Sequence, residues 1–418
     1  MSGDIHRSVE ALWRIESAHI VGTLVRMTGN VGLAEDAAQD ALLDALRQWP
    51  AEGMPRNPAA WLTAVAKRHV LDSWSRSRAL DDRYRRLAEH APDEGEWQPI
   101  PDDVLRLLFT ACHPVLAREA RVALTLRLVG GLTSEAIARL FLVPVPTIQQ
   151  RIVRAKKTLG EARVPFETPE PAEWKARLGS VLAVIYLIFT EGYAATAGDR
   201  LLRTDLAEEA LRLGRMLTGL VPREPEAHAL VALMELQASR FAARVGPTGA
   251  PILLADQDRR RWDRSQIARG VTALDRADAL GRGRGPYALQ AAIARCHATA
   301  PTFADTGWDR IVTLYEALGQ LAPNPVVDLN RAVAVSMAEG PDVGLALVDR
   351  LAEDGALRHS PLLPAVRAEL LERLGRTDEA AREFAAAASL ATNVAQREAL
   401  LERASTAGTS EKAGRPGL

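Results

Sequence analysis

Apolar residues recur every three or four positions along most of the chain, the spacing of one buried face of an α-helix. The pattern predicts helices over 10–78, interrupted by a proline-bounded break from Trp49-Pro50 to Asn57-Pro58. It resumes over 102–163 and again from 172 to about 405. Ala, Leu and Arg dominate and β-branched runs are scarce, which favours helix throughout. The expected fold is all-α. Its expected divisions are a first module at 8–80, a polar linker at 81–101, a second module at 102–163, a proline-rich linker at 164–171, a helical extension at 172–405 and a disordered tail at 406–418.

The sharpest local pattern spans 133–159. Residues 133–140 read as a short helix with the small Ala138 on its inner face, Val143-Pro144-Val145-Pro146 as a turn, and 147–159 as a second helix. A helix-turn-helix needs a small residue at the crossing and a second helix whose early side chains enter the major groove. Ile148, Ile152, Ala155 and Leu159 step by three and four and face the core, which leaves Gln149, Gln150, Arg151, Arg154 and Lys157 outward. Gln reads adenine and Arg reads guanine or clamps phosphate. An ordinary amphipathic hairpin with a basic face shares this layout.

Nearer the start, 34–46 reads as a helix with Asp36, Gln39 and Asp40 on one acidic face. Residues 61–74 read as another, mixing Trp61, Lys67, Arg68 and Trp74 and running on to Arg76. Strand separation uses aromatic faces for unstacked bases and cations for the backbone. A solvated acidic face followed by a basic helix end would look similar.

The extension repeats. Gly285-Pro286, Asn324-Pro325 and Ser360-Pro361 each place a capping residue before a proline at the expected first helical position. Gly340 and Gly375 mark turns 35 residues apart, near the tetratricopeptide period of about 34.

Composition narrows the picture. The chain has 418 residues, 25% charged and 47% apolar, globular proportions. Its formal net charge is −1, which weakens an autonomous DNA-binding protein, because phosphate neutralisation supplies most non-specific affinity. A subunit that borrows affinity from a larger enzyme is unaffected. The longest apolar run, 181–189, is short of a membrane span, and residues 1–10 carry no signal-peptide core. Two cysteines fit a reducing cytoplasm.

An Ala-Glu-Asp-x-x-Gln-Asp helix at 34–40, a Trp-Leu helix from Trp61 and a helix-turn-helix containing Thr147-Ile148-x-x-Arg151-x-x-Arg154-Ala155 resemble the extracytoplasmic-function (ECF) sigma factors. Strings at 109–114, 141–144, 186–193 and 253–263 resemble one ECF subgroup with a long C-terminal extension of tetratricopeptide-like repeats. The resemblance runs from about residue 10 to 404. It implies two small helical sigma modules, binding to core RNA polymerase (the β′ clamp helices and β flap) and promoter DNA, and no cofactor or metal. Asp36, Gln39 and Asp40 would contact polymerase. Arg56, Asn57, Trp61, Lys67 and Arg68 would lie at the melted minus-ten element. Thr147, Gln149, Gln150, Arg151, Arg154 and Lys157 would lie at the minus-thirty-five element. The repeats would receive a protein or peptide partner. Two departures stand out: Leu142 where the turn of other helix-turn-helices has Gly, and His69 where the family has Asn.

Other features read as structural. Cys112-His113 and Cys296-His297 read as buried core pairs, Gly281 to Gly285 as a flexible linker and Glu191 as a cap or an arginine partner. The charged run 256–264 reads either as a solvated loop or as a contact surface anchored by Trp262. No enzyme constellation is expected. A tetratricopeptide scaffold and a ligand-gated DNA-binding regulator remain the competing readings.

Overall fold

Eighteen α-helices, with no strand, make up the architecture of the described residues, which in this computed structural model are 2–76, 101–141, 143–193, 202–246, 250–355 and 357–410. Two compact units divide the chain, Met1–Leu187 and Ile188–Leu418.

The first unit begins with three mutually packed helices, α1 (Ser2–Thr28), α2 (Val31–Glu52) and α3 (Pro58–Arg76). The Asn30 side chain caps α2 by accepting from the Leu33 amide. The buried face of α2 is a stripe of Ala34, Ala37, Ala38, Ala41 and Ala45, small enough to let neighbouring helices approach closely. The helix does not stop at Trp49. It continues through Pro50 to Glu52 and ends at Gly53, whose φ is 84°. A proline in the last turn costs only one ladder bond, so the predicted break begins a few residues late.

Four helices follow: α4 (Pro101–Ala111), α5 (Arg118–Leu128), α6 (Ser134–Phe141) and α7 (Val145–Glu161). The buried residues of α7 are Ile148, Ile152, Ala155 and Leu159, the stripe read from spacing. The helix starts at Val145, inside the expected turn, because a proline at its second position has no helical partner to lose. Ala138 is buried where α6 meets α7, and Thr133 Oγ1 caps α6 by accepting from the Ala136 amide at 3.1 Å. Leu142 and nearly all of the expected 81–101 linker lie outside the described residues; Pro101 opens α4.

Helix α8 (Pro171–Tyr193) begins in the first unit and ends in the second. Trp174 meets Phe109 edge-on at 5.3 Å, and Arg177 Nη2 donates to the Phe109 carbonyl at 3.1 Å. The boundary between units thus falls inside a helix rather than in the proline-rich segment, since the first turns of α8 cover the core of the second module. By length and composition α8 could cross a membrane, but Leu178, Val181, Leu182, Val184, Ile185, Ile188 and Phe189 are buried in protein.

The second unit contains α9 (Thr204–Leu220), α10 (Pro225–Ala238), α11 (Arg264–Ala279), α12 (Pro286–Thr299), α13 (Trp308–Leu321), α14 (Pro325–Ala338), α15 (Pro341–Glu353), α16 (Leu362–Arg373), α17 (Thr377–Leu390) and α18 (Val394–Ser410). From α9 on, each helix packs on the next, with added contacts from α10 to α12 and from α14 to α16. Pro286 and Pro325 open their helices as expected, while α16 starts at Leu362, one residue after Pro361. The Asn324 side chain caps α14. The cap of α12 comes from elsewhere: the Glu226 carboxylate on α10 accepts from the Tyr287 and Ala288 amides at 2.8 and 3.1 Å. Helix α18 reaches Ser410, into the segment expected to be a tail; 411–418 lie outside the described residues.

Three local expectations change. Trp262 is 2% exposed and sits in a core cluster with Leu236, Ala243, Ile267 and Ala298, so it anchors no surface contact. The glycine-rich segment is no free linker: Arg284 bridges to Asp278 at 2.6 Å and Arg282 to Glu224 at 3.6 Å. Cys296 is only half-buried. Cys112 is buried against Thr125 Oγ1 at 3.3 Å, and burial pushes its thiol up to about 11. Glu191 pairs with Arg203 at 3.9 Å, the bland reading of that acid.

Candidate nucleic-acid interface

Helix α7 presents Gln149, Gln150, Arg154 and Lys157 to solvent, opposite its buried stripe. Thr147 and Arg151 are half-buried at its flanks. Lys157 faces Glu161 one turn on, at 3.6 Å. The face therefore offers two amides, groups able to pair with base edges, and cations, groups able to pair with phosphate. Gln149, Gln150 and Arg151 lie in the N-terminal half of the helix, the end that enters a groove in helix-turn-helix proteins.

The α3 region divides its predicted residues between two jobs. Arg56 and Arg68 are exposed. Asn57 is exposed too, but its side chain caps α3 by accepting from the Ala60 amide at 3.1 Å. Trp61 is half-buried and meets Trp49 edge-on at 5.2 Å. Lys67 is half-buried, and burial followed by the nearby Arg26 charge lowers its ammonium below the ordinary lysine value. His69 Nε2 lies 2.8 Å from Asp44 Oδ2, joining α3 to α2. That contact gives the histidine a structural task.

Asp36, Gln39 and Asp40 share one face of α2, spaced by three and four. Asp36 is 72% exposed yet accepts from Lys156 Nζ of α7 at 3.1 Å. Its neighbour Glu35, missed by sequence reasoning, is buried among cations. Arg127 of α5 reaches it at 2.7 Å, and the Lys156 ammonium donates to its other oxygen. Burial works to raise this carboxyl, but Arg127 and Lys156 together hold it below the usual glutamate value. A charged residue inside the run Ala34, Ala37, Ala38 was the available signal, since a carboxylate on a buried face needs partners. A second tie is Asp103 of α4, 1% exposed, which accepts from Arg26 of α1 at 2.9 Å and Arg106 at 3.0 Å. Gly131, with φ 67°, seals this side: a Cβ there would lie 2.6 Å from Ser17 Oγ of α1. Among the described residues no group of three or more metal-ligating side chains occurs.

Known proteins fit this geometry. Residues 12–79 match the family described as sigma-70 region 2, and 106–159 match sigma-70 region 4. Residues 177–278 match a family of unknown function (DUF6596). An uncharacterized protein of Rhizobium meliloti, R00370, is 44% identical over 388 residues, 90% of each chain. The RNA polymerase sigma-H factor of Pseudomonas aeruginosa is 30% identical over 161 residues, 35% of this chain and 81% of that protein. The probable ECF RNA polymerase sigma factor SigI of Mycobacterium tuberculosis is 29% identical over 175 residues, 40% of this chain and 59% of that protein. The region 2 match takes in the α1–α3 bundle and the region 4 match the helix-turn-helix, in the order a sigma factor requires. The chain therefore belongs to the sigma-70 family, as an ECF-type sigma factor with a helical C-terminal extension.

Proposed function

We propose that this sigma factor divides promoter recognition among three surfaces and that its extension governs their use in cis. Asp36, Gln39 and Asp40 bind core polymerase, because carboxylates repel phosphate and suit a protein partner better than DNA. Arg56, Asn57, Trp61, Lys67 and Arg68 hold the melted minus-ten strand. Thr147, Gln149, Gln150, Arg151, Arg154 and Lys157 hold the minus-thirty-five duplex. The protein catalyses nothing itself and works in the cytoplasm, where polymerase is. The stacked helices α12 to α17 act as a tetratricopeptide-like platform for a protein or peptide. Where the sign of control lies, inhibition or support, is decided by that occupant.

The observation that carries cis control is α8. A single helix whose Trp174 and Arg177 close over Phe109 runs on into the extension. The extension is therefore joined through secondary structure that belongs to the promoter-reading unit. The test is transcription in vitro by core polymerase with the full chain and with a chain ending at Leu187, at equal soluble concentration. Ending the chain there keeps the α8 contacts that a cut near Thr168 would remove. A difference of several-fold in either direction is expected. Equal activity from two folded proteins would remove the extension from control.

A further inference from the structure

Within the second unit, Tyr193, Trp262 and Arg259, from segments singled out in the sequence, lie along a ladder of alternating cations and rings. The Arg244 guanidinium lies 3.6 Å over the Tyr193 ring. Arg240 donates to the Tyr193 hydroxyl at 2.7 Å and sits 5.8 Å over Trp262. Arg259 sits 4.4 Å from the Trp262 ring centroid and donates to the His297 and Ala300 carbonyls at 2.7 and 2.8 Å. No carboxylate among the described residues pairs with these three arginines. Of the nearby acids, Asp258 pairs with Arg260 and Asp263 caps α11, while Asp305, hydrogen-bonded by Thr302, offers Arg259 a favourable charge from beyond ion-pair distance.

Arginine stays protonated, so three positive charges share a partly buried site. Stacking on an aromatic face returns only part of what desolvating a guanidinium costs. The same site holds buried polar atoms without partners: Arg259 Nη2, Trp262 Nε1 and His297 Nδ1. Buried polar groups are almost always satisfied, and an exception calls for a ligand, an ion or water. Water would satisfy single donors but would leave the charge uncompensated. All three arginines remain half-buried rather than sealed, so an anion can approach from solvent. One carboxylate would balance one cation of three. A phosphoryl group carries more charge and three acceptor oxygens, and it suits forked guanidinium donors.

We propose that Arg240, Arg244 and Arg259 bind a phosphoryl oxyanion in the C-terminal extension. The site is separate from the promoter-reading surfaces and does not depend on their assignment. The test uses the full chain, titrated with inorganic phosphate and with ATP against potassium chloride at matched ionic strength. Thermal unfolding and calorimetry read the binding. Phosphate is expected to raise the unfolding temperature of the second unit by several degrees, and Arg240→Gln with Arg259→Gln to weaken binding at least tenfold. Tighter binding of ATP would identify a phosphate ester as the source, and equal or weaker binding free phosphate. Should the double variant lose its helical content, hydrogen exchange on the unaltered chain replaces it, with phosphate slowing exchange over 238–264. No effect beyond chloride, an effect retained in a folded double variant, or protection elsewhere in the chain would mean an adventitious ion only and overturn the proposal.

Discussion

His297 shows how a residue's surroundings set its chemistry. Burial first, then the charges of Arg240 and Arg259, hold its imidazole down to about 4. An unfolded chain binds that proton below about pH 6.5. Between those values the unfolded state holds more protons, so stability of the C-terminal unit falls as pH drops through the window. The expected loss approaches about 3 kcal/mol by pH 4. Denaturant unfolding followed by the fluorescence of Trp262 and Trp308 should show it, and His297→Gln should flatten the dependence. Identical pH profiles for the two proteins would contradict this account. On the first unit, Asp40→Arg is the cleaner probe of polymerase binding, because Asp36 also serves Lys156. Co-purification with core enzyme should fail for Asp40→Arg while helicity stays intact.

At the scale of elements, close approach of helices decides what a site tolerates. A Cβ on Gly344 would lie 2.3 Å from Ser336 Cβ and 2.9 Å from the Ala332 carbonyl oxygen, across the α14–α15 crossing. Gly344→Ala should therefore cost about 1–3 kcal/mol through forced separation of the pair. Gly319 in α13 is the control, because a methyl added there would meet nothing within 4 Å. Gly319→Ala should be neutral or stabilising by up to about 1 kcal/mol. Chemical denaturation of both variants distinguishes packing from propensity. Helix α7 makes the opposite kind of prediction, because its outer face touches no protein core. Arg154→Ala should leave the fold unaltered and cost about 1–3 kcal/mol of promoter affinity if the side chain reads a base. Loss confined to one promoter position, in transcription from a substitution series, would mark a base contact. Uniform loss across promoters would mark a phosphate contact.

Over the whole molecule, the division within α8 is what separates this chain from a sigma factor of two modules alone. Two compact units make a single cooperative unfolding transition the exception. Calorimetry should resolve two transitions, and the chain ending at Leu187 should retain the one that belongs to Met1–Leu187. A single transition in the full chain, absent from the truncated one, would show that the first unit folds only with the extension.

The sequence by itself determined the helical class, the order of modules and the inner face of α7. These depend on periodicity, which is a local property: Ile148, Ile152, Ala155 and Leu159 are buried because 3.6 residues make a turn. The capping position at Asn324 is local for the same reason. Tertiary structure alone decided which charges meet. Glu35 and Lys156 are 121 residues apart in sequence, and no short-range pattern pairs them. The charged run 256–264 left a solvated loop and a contact surface equally open from its composition, yet it carries Trp262 into a core and sets Arg259 against the carbonyl ends of α12. Charge density along a chain reports what a segment is made of, whereas burial depends on which distant helix arrives to cover it.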